Sequence, residues 1–270
     1  MLVVRAGLRG RPGSKLRGRS MAGLPSNPWL PVDASIVGVL QEADFDEIVG
    51  TFPSSNVVFL AWLSHPERGR GLAVYKPTRG ERPLNDFEYG TLHHREAAAF
   101  EFSRLLGWDL VPPTVTREGP RGEGSVQLFI SHEPREHYFV LREEEALEEQ
   151  LIRLAVFDLV ANNADRKGGH VLRDASGRLW GIDNGLTFHR EEKLRTVIWD
   201  YAGTEIPAPL LADLDRVARC IEGRDETSQE LRRHLGRREP EALLARIGEL
   251  AARPVLPEMY PWRCTPWPLV

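Results

Sequence analysis

The chain has 270 residues, of which 41% are hydrophobic, 27% charged and 8% aromatic, and its formal net charge is −4. This composition is typical of a soluble globular protein and excludes wholesale disorder, collagen and disulfide scaffolds. The length suits one large domain or two modest ones, and no stretch approaches the ~20 apolar residues of a membrane span. The two cysteines, Cys220 and Cys264, have no CxxC or zinc spacing, which favours a reducing, cytoplasmic location.

The charge is unevenly distributed. Residues 1–20 hold six basic side chains and no acid, so the rest of the chain carries a net charge of −10 rather than −4. An acidic body argues against a general nucleic-acid-binding surface, and the basic segment lacks the apolar core of a secretory signal. We expect residues 1–32 to form a basic, disordered tail, unless the protein starts at Met21. A nucleic-acid- or lipid-binding arm is a third interpretation.

Lysine is rare in this chain. Thirty-one of the 35 basic residues are arginine, and the four lysines are Lys15, Lys76, Lys167 and Lys193. A GC-rich genome explains the overall ratio. Arginine cannot replace lysine where a compact point charge is needed, so the remaining lysines are candidates for function.

The first half of the chain, residues 33–130, is predicted to be rich in strands. Apolar runs separated by turn residues predict these strands: Asp33–Leu40, Glu47–Phe52, Asn56–Leu63, Gly71–Tyr75 and Val126–Ile130. A loop over residues 77–92 leads into a helix from His94 to Leu106, which Gly107 terminates.

The second half is predicted to be mainly helical. Leucines on one face and acids in the first turns predict a helix over Glu143–Ala161. After a polar loop, two strands form a hairpin, and two helices follow: His170–Arg173, Leu179–Ile182, Leu210–Ile221 and Pro240–Ala252. The predicted fold class is α+β, a strand-rich lobe with one helix followed by a mainly helical lobe, and ligands favour the cleft between such lobes.

The polar loop before this hairpin holds Asp165, and Asp183 ends the second hairpin strand. A hairpin brings Asp183 back beside the loop that holds Asp165. Two carboxylates at a loop mouth, one acting as a base and one holding a metal, suit phosphoryl transfer. The alternatives are an ordinary turn at Asp183-Asn184-Gly185 and a surface ion pair at Asp165-Arg166.

Upstream, Lys76 ends an apolar strand and Glu96 lies in the first turns of the following helix. A strand lysine held by a helix glutamate and aimed at nucleotide phosphates is the arrangement of the kinase N-lobe. The loop between them is compatible with this pairing. The alternatives are a solvated strand end for Lys76 and a partner of the helix dipole for Glu96.

These motifs resemble those of atypical kinases related to phosphatidylinositol 3- and 4-kinases and to HipA-type kinases. Their catalytic loop reads roughly D-R-H-x-x-N and is followed by I-D-x-G; here the corresponding residues are Asp165-Arg166-Lys167-Gly168-Gly169-His170 and Ile182-Asp183-Asn184-Gly185. From about Ile36 onward, the chain resembles an actinobacterial family of kinase-like proteins of unknown substrate. The resemblance implies one bilobal protein-kinase-like domain, with an N-lobe at 33–130 and a C-lobe at 131–270.

The resemblance also implies a role for each matching residue. Asp165 is the catalytic base or a substrate-orienting carboxylate, and Asp183 is the principal Mg²⁺ ligand. Lys76 contacts the α- and β-phosphates of ATP and pairs with Glu96. The remaining implied positions are a phosphate loop at Ser54, Ser55 and Asn56 and an adenine-reading hinge from Gln127 to Ile130.

The sequence departs from this pattern in three places. His170 stands where the second metal ligand is usually Asn, so either that metal is held differently or Mn²⁺ is better tolerated. Lys167 replaces the histidine of D-R-H and could stabilise charge on the transferring phosphoryl group. The phosphate loop has no run of glycines.

Three hypotheses follow. The first is an ATP- and Mg²⁺-dependent phosphotransferase that acts on a hydroxyl of a small molecule or protein. The second is a pseudokinase, a nucleotide-binding or scaffolding module without turnover, and the third is a non-kinase α+β binding protein. The expected partners are a nucleotide and the acceptor, without nucleic acid, and the acidic body disfavours an anionic lipid. The spacing of His65, His93 and His94 predicts no zinc site.

Overall fold

The computed structural model describes residues 26–50, 56–261 and 263–270. The first 25 residues of the predicted basic tail lie outside this range, and so do Ser54 and Ser55 of the predicted phosphate loop. Within the described part of the chain, no helix is both long and apolar enough to cross a bilayer.

The first lobe is built on an antiparallel sheet of five strands in the order β1-β2-β3-β5-β4. The strands are β1 (Asp44–Gly50), β2 (Phe59–His65), β3 (Gly69–Pro77), β4 (Thr114–Gly119) and β5 (Gly122–Leu128). β3 lies in the middle, paired with β2 on one side and β5 on the other. Its residues Leu72, Ala73 and Tyr75 are fully buried. Their packing holds the end of the strand, where Lys76 lies, in a fixed position.

The prediction of a strand over Asp33–Leu40 is wrong, because the structure has helix α1 (Ile36–Glu42) there. Its buried residues are Ile36, Val39 and Leu40, and the spacing of three and four residues places them on one helix face. This face packs into the apolar core of the sheet, which also holds Trp29. Tertiary packing therefore overrides the β-branched composition of the segment.

Residues 26–32, which the sequence places in the tail, belong to the folded lobe. The indole of Trp29 is only 6% exposed, and its N–H donates to the carbonyl of Arg68 at 3.0 Å. The side-chain amide of Asn27 donates to the carbonyls of Leu72 and Phe129. These contacts pin the segment to β3 and to the residue after β5.

Strand β4 is absent from the sequence prediction, and it forms a hairpin with β5. It is short and exposes Glu118, so its alternation of apolar and polar residues is brief. The strands predicted at Glu47–Phe52 and Asn56–Leu63 are present as β1 and β2, with bounds shifted by about three residues at their N-terminal ends.

The second lobe consists of helices around a short hairpin. The helices are α2 (Leu92–Leu106), α3 (Tyr138–Leu141), α4 (Glu148–Ala161), α5 (Ala208–Glu222), α6 (Gln229–His234) and α7 (Glu239–Ala252), and the hairpin is β6 (Val171–Arg173) with β7 (Leu179–Gly181). The predicted bounds of α2, α5 and α7 agree with the structure within two residues, whereas the helix predicted to start at Glu143 starts at Glu148. Helices α3 and α6 are too short for a periodic signal. Helix α2 ends at Gly107, whose φ of +71° is the left-handed conformation of a helix cap.

Helix α2 joins the two lobes, because it lies between β3 and β4 in the chain but packs much of its length on the helical core. Phe102 contacts the rings of Phe157 on α4 and Phe188. Arg95 forms a buried ion pair with Glu239 at the start of α7. The helix is therefore anchored in the C-lobe, while its first turns face the sheet. The architecture is the mixed helix and sheet of the predicted α+β class.

Gly71 offers a test of the Trp29 contact. A Cβ at Gly71 stands 2.0 Å from Cδ2 of Trp29, so we expect Gly71→Ala to lower the free energy of unfolding by about 1–3 kcal/mol through overpacking. Gly38 in α1 has no atom within 4 Å of such a Cβ, and we expect Gly38→Ala to raise it by about 0.5–1 kcal/mol. Urea unfolding measures both, and an unchanged midpoint for Gly71→Ala contradicts the packing of Trp29.

Candidate active site

The ammonium group of Lys76 joins two carboxylates that are distant in the sequence. Its Nζ donates to Oε1 of Glu96 on α2 and, at 2.8 Å, to Oδ1 of Asp183 after β7. The Lys76 and Glu96 side chains are 20% and 4% exposed, whereas Asp183 is 49% exposed. The Lys76 ammonium thus connects strand β3, helix α2 and the end of the hairpin of β6 and β7.

The charges of this group stabilise one another. Burial would lower the pKa of Lys76, but the negative charges of Asp183 and Glu96 outweigh it and raise that pKa above its ordinary value. The Lys76 ammonium in turn holds the pKa of Asp183 well below its usual range. Lys76 and Asp183 are therefore both charged at neutral pH.

The backbone around Asp183 is held in an unusual conformation. Asp183 has a φ of +59°, a left-handed conformation that costs a non-glycine residue about 1 kcal/mol or more. The next N–H, that of Asn184, donates to Oε2 of Glu96 at 3.0 Å. The side chain of Asn184 donates to the carbonyl of Gly181 and accepts from Arg166. Glu96 therefore fixes both Lys76 and the turn that carries Asp183.

Arg166 and Asp158 form an ion pair with no exposure to solvent. Nε and Nη2 of Arg166 donate to the Asp158 carboxylate at 2.9–3.1 Å. The same guanidinium donates to the carbonyl of Ile182 and to Oδ1 of Asn184, both at 2.7 Å. Arg166 thereby ties the loop of Asp165 to the turn of Asp183. Asp158 is not part of either kinase-like motif. Its position as an acid inside the apolar run of α4 was the available signal, because a buried acid requires a partner.

Asp165 is positioned by its neighbours in the loop. Its backbone N–H donates to Oδ1 of Asn163 at 3.0 Å, and the Asn163 amide donates to Oδ1 of Asp158 at 3.0 Å. Its own carboxylate lies 2.9 Å from Nζ of Lys167. Burial raises the pKa of Asp165, and the charge of Lys167 opposes that shift. A carboxylate with a raised pKa is a stronger base than an ordinary aspartate.

The ring of His170 lies between the backbone of Lys167 and the Asp183 carboxylate. The N–H of Lys167 donates to Nδ1 at 3.3 Å, and Nε2 lies 3.3 Å from Oδ2 of Asp183. Burial lowers the pKa of His170 to about 4, against the opposing charge of Asp183, so the ring is neutral at pH 7. Since Nδ1 accepts a hydrogen bond, we assign the ring proton to Nε2, which points it at Asp183.

Four of the residues described above line one cleft of about 530 Å³, a volume that includes its solvent-open mouth. Lys76, Glu96, Asp165 and Asp183 all contribute to its wall, as does Asn56.

Gln127 and Ile130, the ends of the predicted adenine-reading hinge, do not line this cleft. Gln127 is buried within β5, and its Nε2 donates to Oγ1 of Thr114 at 2.9 Å. Ile130 packs with Leu172 and Trp180. The side chains of both residues pack in the core, and the carbonyl of Ile130 accepts a hydrogen bond from Nδ1 of His132 at 2.7 Å. The role in reading adenine that the resemblance implies stays a prediction.

Solved structures share this architecture. Hydra Fam20 with sugar matches with a TM-score of 0.51 and 16% identity, over 84% of this chain and 91% of that chain. The Golgi casein kinase with Mn/ADP bound matches with a TM-score of 0.49 and 14% identity, over 84% and 79%. The likeness to hydra Fam20 shows a bilobal protein-kinase-like fold and confirms the predicted fold class.

A relative is also found by sequence. Protein Rv2133c of Mycobacterium tuberculosis is 38% identical over 228 residues, which cover 72% of this chain and 81% of that protein. The chain belongs to the family of this mycobacterial protein. A scan against models of protein families finds no match.

The buried pair at the centre of the site gives a stability prediction. Asp158→Asn leaves the Arg166 charge without its counterion, and we expect a loss of about 3–5 kcal/mol in the free energy of unfolding. The control is Asp215→Asn, which breaks the exposed Asp215–Arg219 pair on α5 and should cost under about 0.5 kcal/mol. Chemical denaturation of both variants measures the difference, and equal losses would mean that the Asp158 pair is not closed to water.

Proposed function

We propose that this protein is an ATP-dependent phosphotransferase, an atypical kinase that acts on a hydroxyl acceptor. The observation that carries the proposal is the Lys76 ammonium in contact with both Glu96 and Asp183, in a cleft that Asp165 also lines. Phosphoryl transfer depends on positioning and charge neutralisation, and kinases supply them with a strand lysine, a helix glutamate and a metal-binding aspartate. The likeness of the two motifs to those of phosphatidylinositol 3- and 4-kinases and HipA-type kinases supports the same assignment.

We assign the nucleotide to the cleft between an N-lobe of residues 33–130 and a C-lobe of residues 131–270. Lys76 donates to the α- and β-phosphate oxygens, and Glu96 holds its ammonium group in place. Asn56 lines the same cleft and belongs to the proposed phosphate loop with Ser54 and Ser55. In this proposal the backbone of the segment from Gln127 to Ile130 reads adenine.

The carboxylates of Asp183 and Asp165 fit a divalent cation, because Mg²⁺ prefers oxygen ligands. Asp183 is half exposed at the cleft and would hold the ion, and a bound ion supplies charge neutralisation on the phosphate oxygens. His170 aims its Nε2 proton at Asp183 and orients that carboxylate. Direct ligation by His170 requires the proton to leave Nε2 and stays a prediction; such a nitrogen ligand would favour Mn²⁺ over Mg²⁺.

Asp165 is the proposed base for the acceptor hydroxyl. Its raised pKa and its place in the cleft suit it to accept the hydroxyl proton. The acceptor oxygen would form its bond to the γ-phosphorus while the bond from that phosphorus to the bridging oxygen of ADP breaks and ADP leaves. Lys167, 2.9 Å from Asp165, brings a positive charge to the position of the transferring phosphoryl group. The acidic body favours a small molecule or a protein as the acceptor over an anionic lipid surface.

A pseudokinase is the second candidate, and one observation favours it. Both oxygens of Asp183 are already engaged, Oδ1 by the Lys76 ammonium and Oδ2 by His170. A metal ion must compete with these two groups for the carboxylate. If neither Lys76 nor His170 releases Asp183, no metal ion binds there, and the protein would bind nucleotide without turnover.

Lys76→Arg tests the nucleotide site. The substitution keeps the charge but replaces a compact ammonium with a planar guanidinium, so we expect ATP-dependent phosphotransfer to fall about 100-fold or more. The control is Lys193→Arg, a lysine of similar exposure that pairs with Asp86 and should keep full activity. Autophosphorylation and phosphate release measure both, and full activity in Lys76→Arg removes Lys76 from the site.

Nucleotide binding and turnover separate the two candidates. Saturating nucleotide with Mg²⁺ or Mn²⁺ should raise the free energy of unfolding, by about 2.7 kcal/mol at 100 times Kd. A kinase then loses phosphate release on Asp165→Asn while it keeps the nucleotide-induced shift in Tm. A pseudokinase shows the shift in Tm but no turnover, both in the unmodified chain and in Asp165→Asn. Absence of any shift contradicts both the kinase and the pseudokinase hypothesis.

A further inference from the structure

A second group of metal-binding side chains lies beside the cleft and takes no part in the proposed phosphotransfer. His93 and His94 are in the first turn of α2, and Glu123 is near the start of β5. One ligand atom from each of the three residues lies within 4.8 Å of the others. The chain therefore brings two imidazoles and one carboxylate together from separate elements.

His93 carries a buried nitrogen with no hydrogen bond. Its side chain is 3% exposed, and among the described residues its Nε2 has no hydrogen-bond partner. Such an unpaired buried group normally costs free energy. Nε2 faces Oε1 of Glu123 at 3.8 Å, too far for a hydrogen bond. Two ligands of one ion, each about 2.0–2.2 Å from it, are separated by up to roughly 4 Å, so this spacing suits a shared metal.

Both imidazoles are oriented by a second contact. Nδ1 of His93 lies 3.2 Å from Oγ1 of Thr78. The ring of His94 is held through its Nδ1, which lies 3.2 Å from Nδ1 of His234 on α6. Histidines that ligate a metal are commonly held in this way by a hydrogen bond to the other ring nitrogen. The rings are therefore fixed before any ion enters.

We propose that His93, His94 and Glu123 bind a zinc ion, or a transition metal of similar softness. Two histidines and one glutamate are the protein ligands of open zinc sites, which leave a fourth position for water. Imidazole favours zinc over magnesium, so this site discriminates against the ion proposed for Asp183. The sequence predicts no zinc site from the spacing of His65, His93 and His94, and this proposal departs from that prediction for His93 and His94. Glu123, which is distant in the sequence, reaches them only through the fold.

A metal here ties the first turn of α2 to the hairpin of β4 and β5. Three residues after His93 on the same helix, Glu96 holds Lys76. His93 also lines the cleft of the candidate active site. The proposed ion therefore fixes the start of the helix that positions the lysine, which makes it a structural cross-link at the edge of the cleft.

Zinc binding by the full chain tests the proposal. After chelation and desalting, equilibrium dialysis against Zn²⁺ with excess Mg²⁺ should give one zinc per chain. Glu123→Gln should weaken the affinity about 10-fold or more, and because Glu123 is exposed we expect this variant to fold. Glu118→Gln is the matched control: Glu118 lies opposite Glu123 on the same hairpin, with the same charge change, and should bind like the unmodified chain.

Two further measurements make the outcome decisive. Co²⁺ in place of Zn²⁺ should give the visible absorption of a four-coordinate site, and His94→Asn should abolish it. Asp183→Asn should keep the zinc stoichiometry, because Asp183 belongs to the other site. The proposal is overturned if Glu123→Gln and Glu118→Gln bind zinc equally, or if Asp183→Asn alone removes the ion, which would place the zinc at the phosphotransfer centre.

Discussion

The arrangement of the cleft depends on one buried ion pair between Arg166 and Asp158. Two charges fully removed from water are stable only when each is paired and its remaining hydrogen-bonding positions are filled. The Asp158 carboxylate accepts hydrogen bonds from Arg166 and Asn163. Arg166 also donates to the carbonyl of Ile182 and to the side chain of Asn184. Because these partners lie directly beside Asp165 and Asp183 in the chain, satisfying the pair also holds the loop of Asp165 against the turn of Asp183.

The second constraint is electrostatic. Lys76 contacts two carboxylates. If one carboxylate binds a ligand instead, the Lys76 ammonium still keeps the other as its partner. Glu96 is the buried partner and also holds the backbone of Asn184, whereas Asp183 is half exposed at the cleft. The exposed carboxylate is therefore the one that can exchange its lysine contact for a cation, and phosphate oxygens can take its place at Nζ. In the proposed function, these contacts hold the charged groups in place before nucleotide and metal bind.

The sequence predicted the long helices and the contact of Lys76 with Glu96. Local patterns failed where tertiary contacts decide the structure. Trp29 and α1 fold onto the sheet because its core accepts their apolar faces, which no local composition indicates. Asp158 stands out as an acid inside the apolar run of α4, but only the fold shows that Arg166 is its partner. Glu123 joins His93 and His94 across thirty residues, through the pairing of β5 with β3, a contact that spacing in the chain cannot reveal.

Helix α2 connects these observations. Its C-terminal half is fixed in the helical core by Phe102, and its first turns are held by the Arg95–Glu239 pair. Glu96 and His93 lie on these first turns, one turn apart, and face different groups: Glu96 holds the ammonium of Lys76, and Nε2 of His93 faces the carboxylate of Glu123. A small rotation of the helix would change both environments together. Because oxygen-rich and imidazole-rich sites select different metals, an ion at the histidines can stabilise the position of Glu96 without competing for the carboxylates of the cleft.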